Sequence, residues 1–153
     1  MIFELNGKDV AFDAPATMTL LDMLRTELGM TSVKKGCEQG ECGACTVLLD
    51  GAPVTSCLIL APQVEGRRVT TIEGVEENPL VKELRDAFME NGAVQCGYCT
   101  PGMLLSSYAL LRDNRSPTED EVKTAIEGNI CRCTGYVAII EAIMDAAERI
   151  APE

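Results

Sequence analysis

The chain is predicted to be α+β, with a mixed part first and an all-helical part after it. Three observations carry this. Asn6-Gly7 stands between two short runs of alternating apolar residues, which is a hairpin signature. The apolar spacing changes from alternation to helical periodicity after the polar stretch Glu73 to Asn78. Beyond that stretch, Asn78-Pro79, Thr100-Pro101 and Ser116-Pro117 each read as the start of a helix.

Taken in order, residues 2 to 5 and 8 to 12 form the opening hairpin. Thr19 with Asp22 is a capping-box-like start, Leu20, Leu21, Leu24 and Leu28 share one face, and Gly29 caps the end, so a short amphipathic helix follows. Thr46 to Leu49 and Val54 to Leu60, joined through Asp50-Gly51, predict a second hairpin with Cys57 on its return strand. Val69 to Ile72 supplies a last strand, and Glu73 to Asn78 is a linker. The expected boundary therefore divides the chain into domains 1–76 and 77–153.

In the second part Leu80, Val81, Leu84, Ala87 and Phe88 mark a helix ending at Gly92. A helix opened by Thr100-Pro101 runs through Leu111 and is apolar on most sides, so it is expected at the centre. Ser116-Pro117-Thr118-Glu119 reads as a capping box for a helix that turns Val122 and Ile126 inward and ends at Gly128. The last helix, Gly135 to Ile150, shows Val137, Ile140, Ile143, Met144 and Ala147 on one face. Four helices joined by short turns predict a small bundle.

The net charge of −11 argues against nucleic acid or an anionic membrane surface as partner. No apolar run approaches the roughly 20 residues of a membrane span. The absence of histidine excludes Ser-His-Asp and Cys-His catalysis, His-bound zinc and the Rieske cluster. Neither a P-loop nor a G-x-G-x-x-G opens a helix, so no nucleotide site is expected. MIFELNGKDV has no basic n-region and carries Glu4 early, so the expectation is a reducing, cytoplasmic setting in which the 8 cysteines are thiols and not disulfides.

Those cysteines fall in two sets. Cys37, Cys42 and Cys45 stand as C-x4-C-x2-C with Cys57 further on, the plant-type [2Fe-2S] spacing, and Gly36, Gly40 and Gly43 are expected to supply the positive φ angles of a tight wrap. Cys96 and Cys99 precede one helix, and Cys131 and Cys133 precede another, where helix N-termini favour thiolate. Taken alone, this second set suits a four-thiolate zinc site as well, and Cys96-Gly97-Tyr98-Cys99 has the form of a thiol-disulfide redox motif. A two-cluster carrier acting on its own and a zinc-stabilised interaction module are therefore open readings.

GCEQGECGACTVLLDG, QCGYCTPG and GNICRCTGY together resemble the small iron-sulfur subunit of molybdenum hydroxylases, the family of xanthine dehydrogenase, aldehyde oxidoreductase and carbon monoxide dehydrogenase. The resemblance covers almost the whole chain and all eight cysteines. It implies a β-grasp, plant-ferredoxin-like domain followed by an all-α four-helix domain, with one [2Fe-2S] cluster in each. It implies that Cys37, Cys42, Cys45 and Cys57 hold the cluster on the flavin side. Cys96, Cys99, Cys131 and Cys133 would hold the one nearest a molybdenum-pterin cofactor, which Gln95 and Cys133 would also approach. The implied partners are a molybdenum-binding large subunit and an FAD-binding medium subunit, in a hetero-oligomer for which a dimer of heterotrimers is one arrangement. The chain itself would catalyse no bond change. It would relay electrons released when the large subunit oxidises a purine, another N-heterocycle or an aldehyde.

Overall fold

The computed structural model describes residues 1–151; residues 152 and 153 of the expected helical domain lie outside the described residues. Five strands form one mixed sheet in the order β2-β1-β5-β3-β4. β1 (Ile2–Leu5) and β2 (Lys8–Ala11) pair antiparallel, and both turn residues between them have positive φ, Asn6 at 52° and Gly7 at 79°, as the two-residue hairpin requires. β3 (Thr46–Leu49) and β4 (Ala52–Thr55) form the second hairpin, and β5 (Arg68–Thr70) lies parallel to β1 and antiparallel to β3.

Four details of this half differ from the sequence expectation. α1 (Leu20–Asp22) starts at the Thr19 cap but widens at Met23–Glu27, where the Leu28 amide bonds to the Met23 carbonyl five residues back at 3.0 Å. The widened turn buries Met23 together with Leu20, Leu21 and Leu24 and leaves Leu28 only partly covered. β4 ends at Thr55, opposite Thr46 where β3 begins, so Cys57 lies on a 3-10 turn (Ser56–Leu58) and not on a strand. β5 stops at Thr70, and Ile72, expected as the last residue of that strand, opens a short helix, α2 (Ile72–Val75), that runs into the expected linker.

The helical half contains α3 (Pro79–Glu90), α4 (Thr100–Asp113), α5 (Glu119–Ile126) and α6 (Val137–Ile150). Asn78 caps α3 through the Leu80 amide at 2.9 Å. Cys99, and not Thr100, stands at the N-cap of α4. The capping box of α5 falls two residues later than expected, with the Glu121 carboxylate accepting from the Thr118 amide at 2.7 Å and the Thr118 hydroxyl accepting from the Glu121 amide at 3.3 Å. α6 begins after Tyr136, whose φ of 72° is left-handed. That entry sets the helix so that Ile139, Ala142, Ile143, Ala146 and Ala147 face inward, while Val137 is 63% exposed and Ile140 and Met144 sit half-buried.

Each half has its own core. Phe3, Leu20, Leu21, Leu24, Val47 and Val69 fill the sheet side, and Leu84, Phe88, Met103, Leu111, Val122, Ile139 and Ile143 fill the helical side. The two meet because β3 is buried on both faces. Val47 and Leu49 point into the sheet core, and Leu48 packs on Leu105 and Ala109 of α4. α4 thus touches α3, α5 and β3 and holds the central place its all-round apolar character predicts.

Candidate iron-sulfur centres

The first cysteine loop leaves the widened end of α1 and returns as β3. Arg25 donates to the carbonyls of Thr31 (2.6 Å) and Val33 (3.0 Å), and the Lys34 amide closes the base of the loop on the Ala44 carbonyl at 3.0 Å. Inside it, the amides of Gln39 (3.4 Å), Glu41 (3.3 Å) and Cys42 (3.3 Å) all donate to Cys37 Sγ, and the Cys37 amide donates to Cys42 Sγ at 3.4 Å. These backbone donors, Gln39 and Cys42 first among them, draw the Cys37 thiol down to about 7. A loop whose amides turn inward onto sulfur is a cradle for negative charge.

The glycines here divide their work. Gly40 and Gly43 have positive φ (83° and 66°), as expected, but Gly36 does not. Gly36 is required for closeness, because a Cβ there would lie 2.6 Å from Cys42 Sγ. Cys45 and Cys57 are buried at the edge of the sheet core with their thiols adjoining, and burial with that neighbour pushes Cys57 up to about 11.

The second set is built from two turns. Cys96 and Cys99 lie on the loop that enters α4, and Cys131 and Cys133 lie between α5 and α6. Cys99 and Cys131 adjoin, as do Cys96 and Cys133. Burial, with Cys131 as neighbour, pushes Cys99 up to about 12. At Cys131 burial works in the same direction, but the Thr134 hydroxyl, 3.1 Å from the sulfur, and the amides of Thr134 and Cys133 outweigh it and hold the thiol below its ordinary value. The Cys131 amide itself donates to the Tyr136 hydroxyl at 2.9 Å.

The structure brings the two sets against one another. A cavity of about 380 Å3 lies between them, lined by Cys37 and Cys42 on one side and Cys96, Cys99, Cys131 and Cys133 on the other, with Gly36, Ala44, Tyr98, Ile130 and Arg132. Cys45 and Cys57 lie outside its lining, and so does Gln95, which is exposed on the bend before Cys96. Three hydrogen bonds cross between the sets: Ile130 amide to Cys42 carbonyl (2.9 Å), Tyr98 hydroxyl to Lys35 carbonyl (2.7 Å) and Asn129 amide nitrogen to Gly43 carbonyl (3.1 Å). The sequence motifs assign no role to Tyr98, Tyr136 or Asn129. The signal in the sequence is their place beside cysteines, but their partners are named only by the fold.

Residues 3–69 match the family model described as a 2Fe-2S iron-sulfur cluster binding domain, and residues 71–144 match the [2Fe-2S] binding domain. The chain is 50% identical to the nicotinate dehydrogenase small FeS subunit of Eubacterium barkeri, over 96% of this chain and 94% of that one. It is 42% identical to the xanthine dehydrogenase iron-sulfur-binding subunit of Escherichia coli O157:H7, over 92% and 89%. Among solved structures it is similar to a chain of quinoline 2-oxidoreductase from Pseudomonas putida 86, with a TM-score of 0.91, 46% identity and coverage of 97% and 93%. A β-grasp half and a four-helix half, each matching a [2Fe-2S] domain, define a two-cluster iron-sulfur protein. The chain belongs to the family of small iron-sulfur subunits of molybdenum hydroxylases, that of xanthine dehydrogenase and aldehyde oxidoreductase. Within such an oxidoreductase it is the non-catalytic iron-sulfur subunit. No described helix is long and apolar enough to cross a membrane.

Proposed function

We propose that this chain relays electrons from a molybdenum-pterin centre in a large partner subunit to FAD in a medium subunit. In this reading the domains are 1–76 and 77–153. Cys37, Cys42, Cys45 and Cys57 hold the flavin-side [2Fe-2S] cluster, and Cys96, Cys99, Cys131 and Cys133 hold the molybdenum-side one, with Gln95 and Cys133 next to the pterin. The donor chemistry supports this reading, with four free thiols in each set. Each set lies as two adjoining pairs, Cys37 with Cys42 and Cys45 with Cys57, then Cys99 with Cys131 and Cys96 with Cys133. Two thiolates per iron is what a two-iron core needs. When bound, a [2Fe-2S] cluster supplies a one-electron carrier, so a two-electron oxidation leaves in single steps.

The chain's own residues then do three things. The amides of Gln39, Glu41 and Cys42 and the Thr134 hydroxyl place donors on sulfur and favour the charged form. Burial of Cys45, Cys57 and Cys131 keeps water from that side of each site. Exposed Cys96 and Cys133, with Tyr98 and Ile130 lining the same cavity, leave an apolar cysteine-bearing face for the large subunit. The observation that carries the reading is the Ile130 to Cys42 hydrogen bond, which joins the two sets directly.

The names of the similar proteins include nicotinate dehydrogenase, xanthine dehydrogenase and quinoline 2-oxidoreductase as well as aldehyde oxidoreductases, so the substrate proposed for the complex is a purine, another N-heterocycle or an aldehyde. We place the complex in the cytoplasm as a hetero-oligomer, for which a dimer of heterotrimers is one form. Affinity purification from the native host tests the assembly: the chain should bring down two larger polypeptides, one carrying molybdenum and one carrying FAD. A monomer with both clusters and neither partner would overturn it.

A further inference from the structure

We infer that Asn129 is a positioning residue that locks the first cysteine loop to the second and so sets the separation and mutual orientation of the two cluster sites. This rests on the ligand sets proposed above. Asn129 is only 4% exposed and stands two residues before Cys131, directly before the Ile130 amide that meets Cys42. Its side chain reaches back across the junction. Nδ2 donates to the Gly43 carbonyl at 3.1 Å and to Thr46 Oγ1 at 3.2 Å, while Oδ1 accepts from the Ser106 hydroxyl at 2.7 Å.

The orientation of that amide follows from its neighbours. A carbonyl only accepts, so the NH2 group must face Gly43. Thr46 spends its own proton on the same carbonyl at 2.7 Å, which leaves its lone pairs for Nδ2. Every polar atom of the side chain is thereby satisfied, and no other rotation of the amide satisfies them all. Three elements meet in this one residue: the Cys42–Cys45 loop, β3 and α4.

Without Asn129 the loops are tethered by the Ile130 to Cys42 bond and, at the exposed edge, by the Tyr98 to Lys35 bond. Asn129 adds two more bonds to the first half, one at Gly43 and one at Thr46, and a third to Ser106 of α4, and the tethers become a fixed joint. The surrounding backbone is shaped for this closeness. A Cβ on Gly43 would meet the Gly128 carbonyl at 2.2 Å, and one on Gly102 would meet the Gly43 carbonyl at 2.6 Å. Dipolar coupling between two reduced clusters falls as the inverse cube of their separation and depends on their relative orientation, so it reports this joint directly.

The test is electron paramagnetic resonance of the purified complex with both clusters reduced, comparing wild type, Asn129→Ala, Asn129→Asp and Ser106→Ala. Asn129→Asp keeps the shape but sets a second oxygen against the Gly43 carbonyl, so it reads the same joint with the fold least disturbed. Both Asn129 variants should keep two signals of one spin each and lose the resolved inter-cluster splitting; Ser106→Ala, which leaves the donors on Gly43 and Thr46, should broaden it less. Two intact signals with wild-type splitting in Asn129→Asp would overturn the inference, even if that variant unfolded at a lower temperature. A wild-type complex without two reduced [2Fe-2S] signals would instead overturn the ligand sets, and the inference with them.

Discussion

The amide of Ile130 donates to the carbonyl oxygen of Cys42 at 2.9 Å. One residue stands next to Cys131 of the second set and the other belongs to the first set, so the two halves are joined at their cysteines and not only through their cores. Leu48 against Leu105 and Ala109 supplies the apolar part of the same contact. Disturbing this seam should therefore affect stability and both centres together.

Gly43→Ala is the sharpest disturbance. The new Cβ would sit 2.2 Å from the Gly128 carbonyl and 2.9 Å from Asn129 Cα, and neither backbone can swing away. Left-handed φ costs about 1–2 kcal/mol for an L-residue, and overpacking adds about 1–3 kcal/mol. Gly92→Ala, with the same φ of 66° and nothing within 4 Å, isolates the first contribution. Chemical denaturation at matched cluster content should place Gly43→Ala below Gly92→Ala; equal midpoints would contradict the close seam.

At Tyr136 the hydroxyl accepts the Cys131 amide. Tyr136→Phe removes that acceptor and leaves a largely buried N–H unpaired, at a cost of about 1 kcal/mol. The expected readout is a lower unfolding midpoint with iron content unchanged. An unchanged midpoint would mean that another acceptor takes over.

Glu73 gives the pH dependence. Burial raises its carboxyl, but the Ser32 hydroxyl (2.5 Å) and amide (3.2 Å) and the Thr71 hydroxyl (2.6 Å) outweigh that and hold it below its ordinary 4.5. A carboxylate with a depressed folded value contributes stability that is fully present above the ordinary value and is lost as pH falls through the folded one. The stability difference between wild type and Glu73→Gln should thus be constant at neutral pH and shrink below about pH 4.5. A difference that persisted unchanged into that acid range would show that the carboxylate's charge contributes nothing.

Much of this was legible from local chemistry. Asn6-Gly7 and Asn78-Pro79 act within a few residues, and the chain obeys them. The misses share a physical cause. Cys57 leaves its strand because β3 begins at Thr46 and offers no further partner, and Thr70 to Ile72 changes from strand to helix where the β5 pairing ends. The inward face of α6 depends on the left-handed turn at Tyr136, a conformation a tyrosine pattern does not announce. Asn129 bonds to residues 83 and 86 positions away, a pairing that exists only once β3 packs on α4.

The most direct measurement is electron paramagnetic resonance of the dithionite-reduced protein, wild type and Cys42→Ser. Wild type should give two distinct signals, each one spin per chain. Cys42→Ser should abolish one and leave the other, which in the assembled complex substrate should still reduce. A colourless, silent protein that carries zinc would contradict the account, as would a Cys42→Ser protein that keeps both signals.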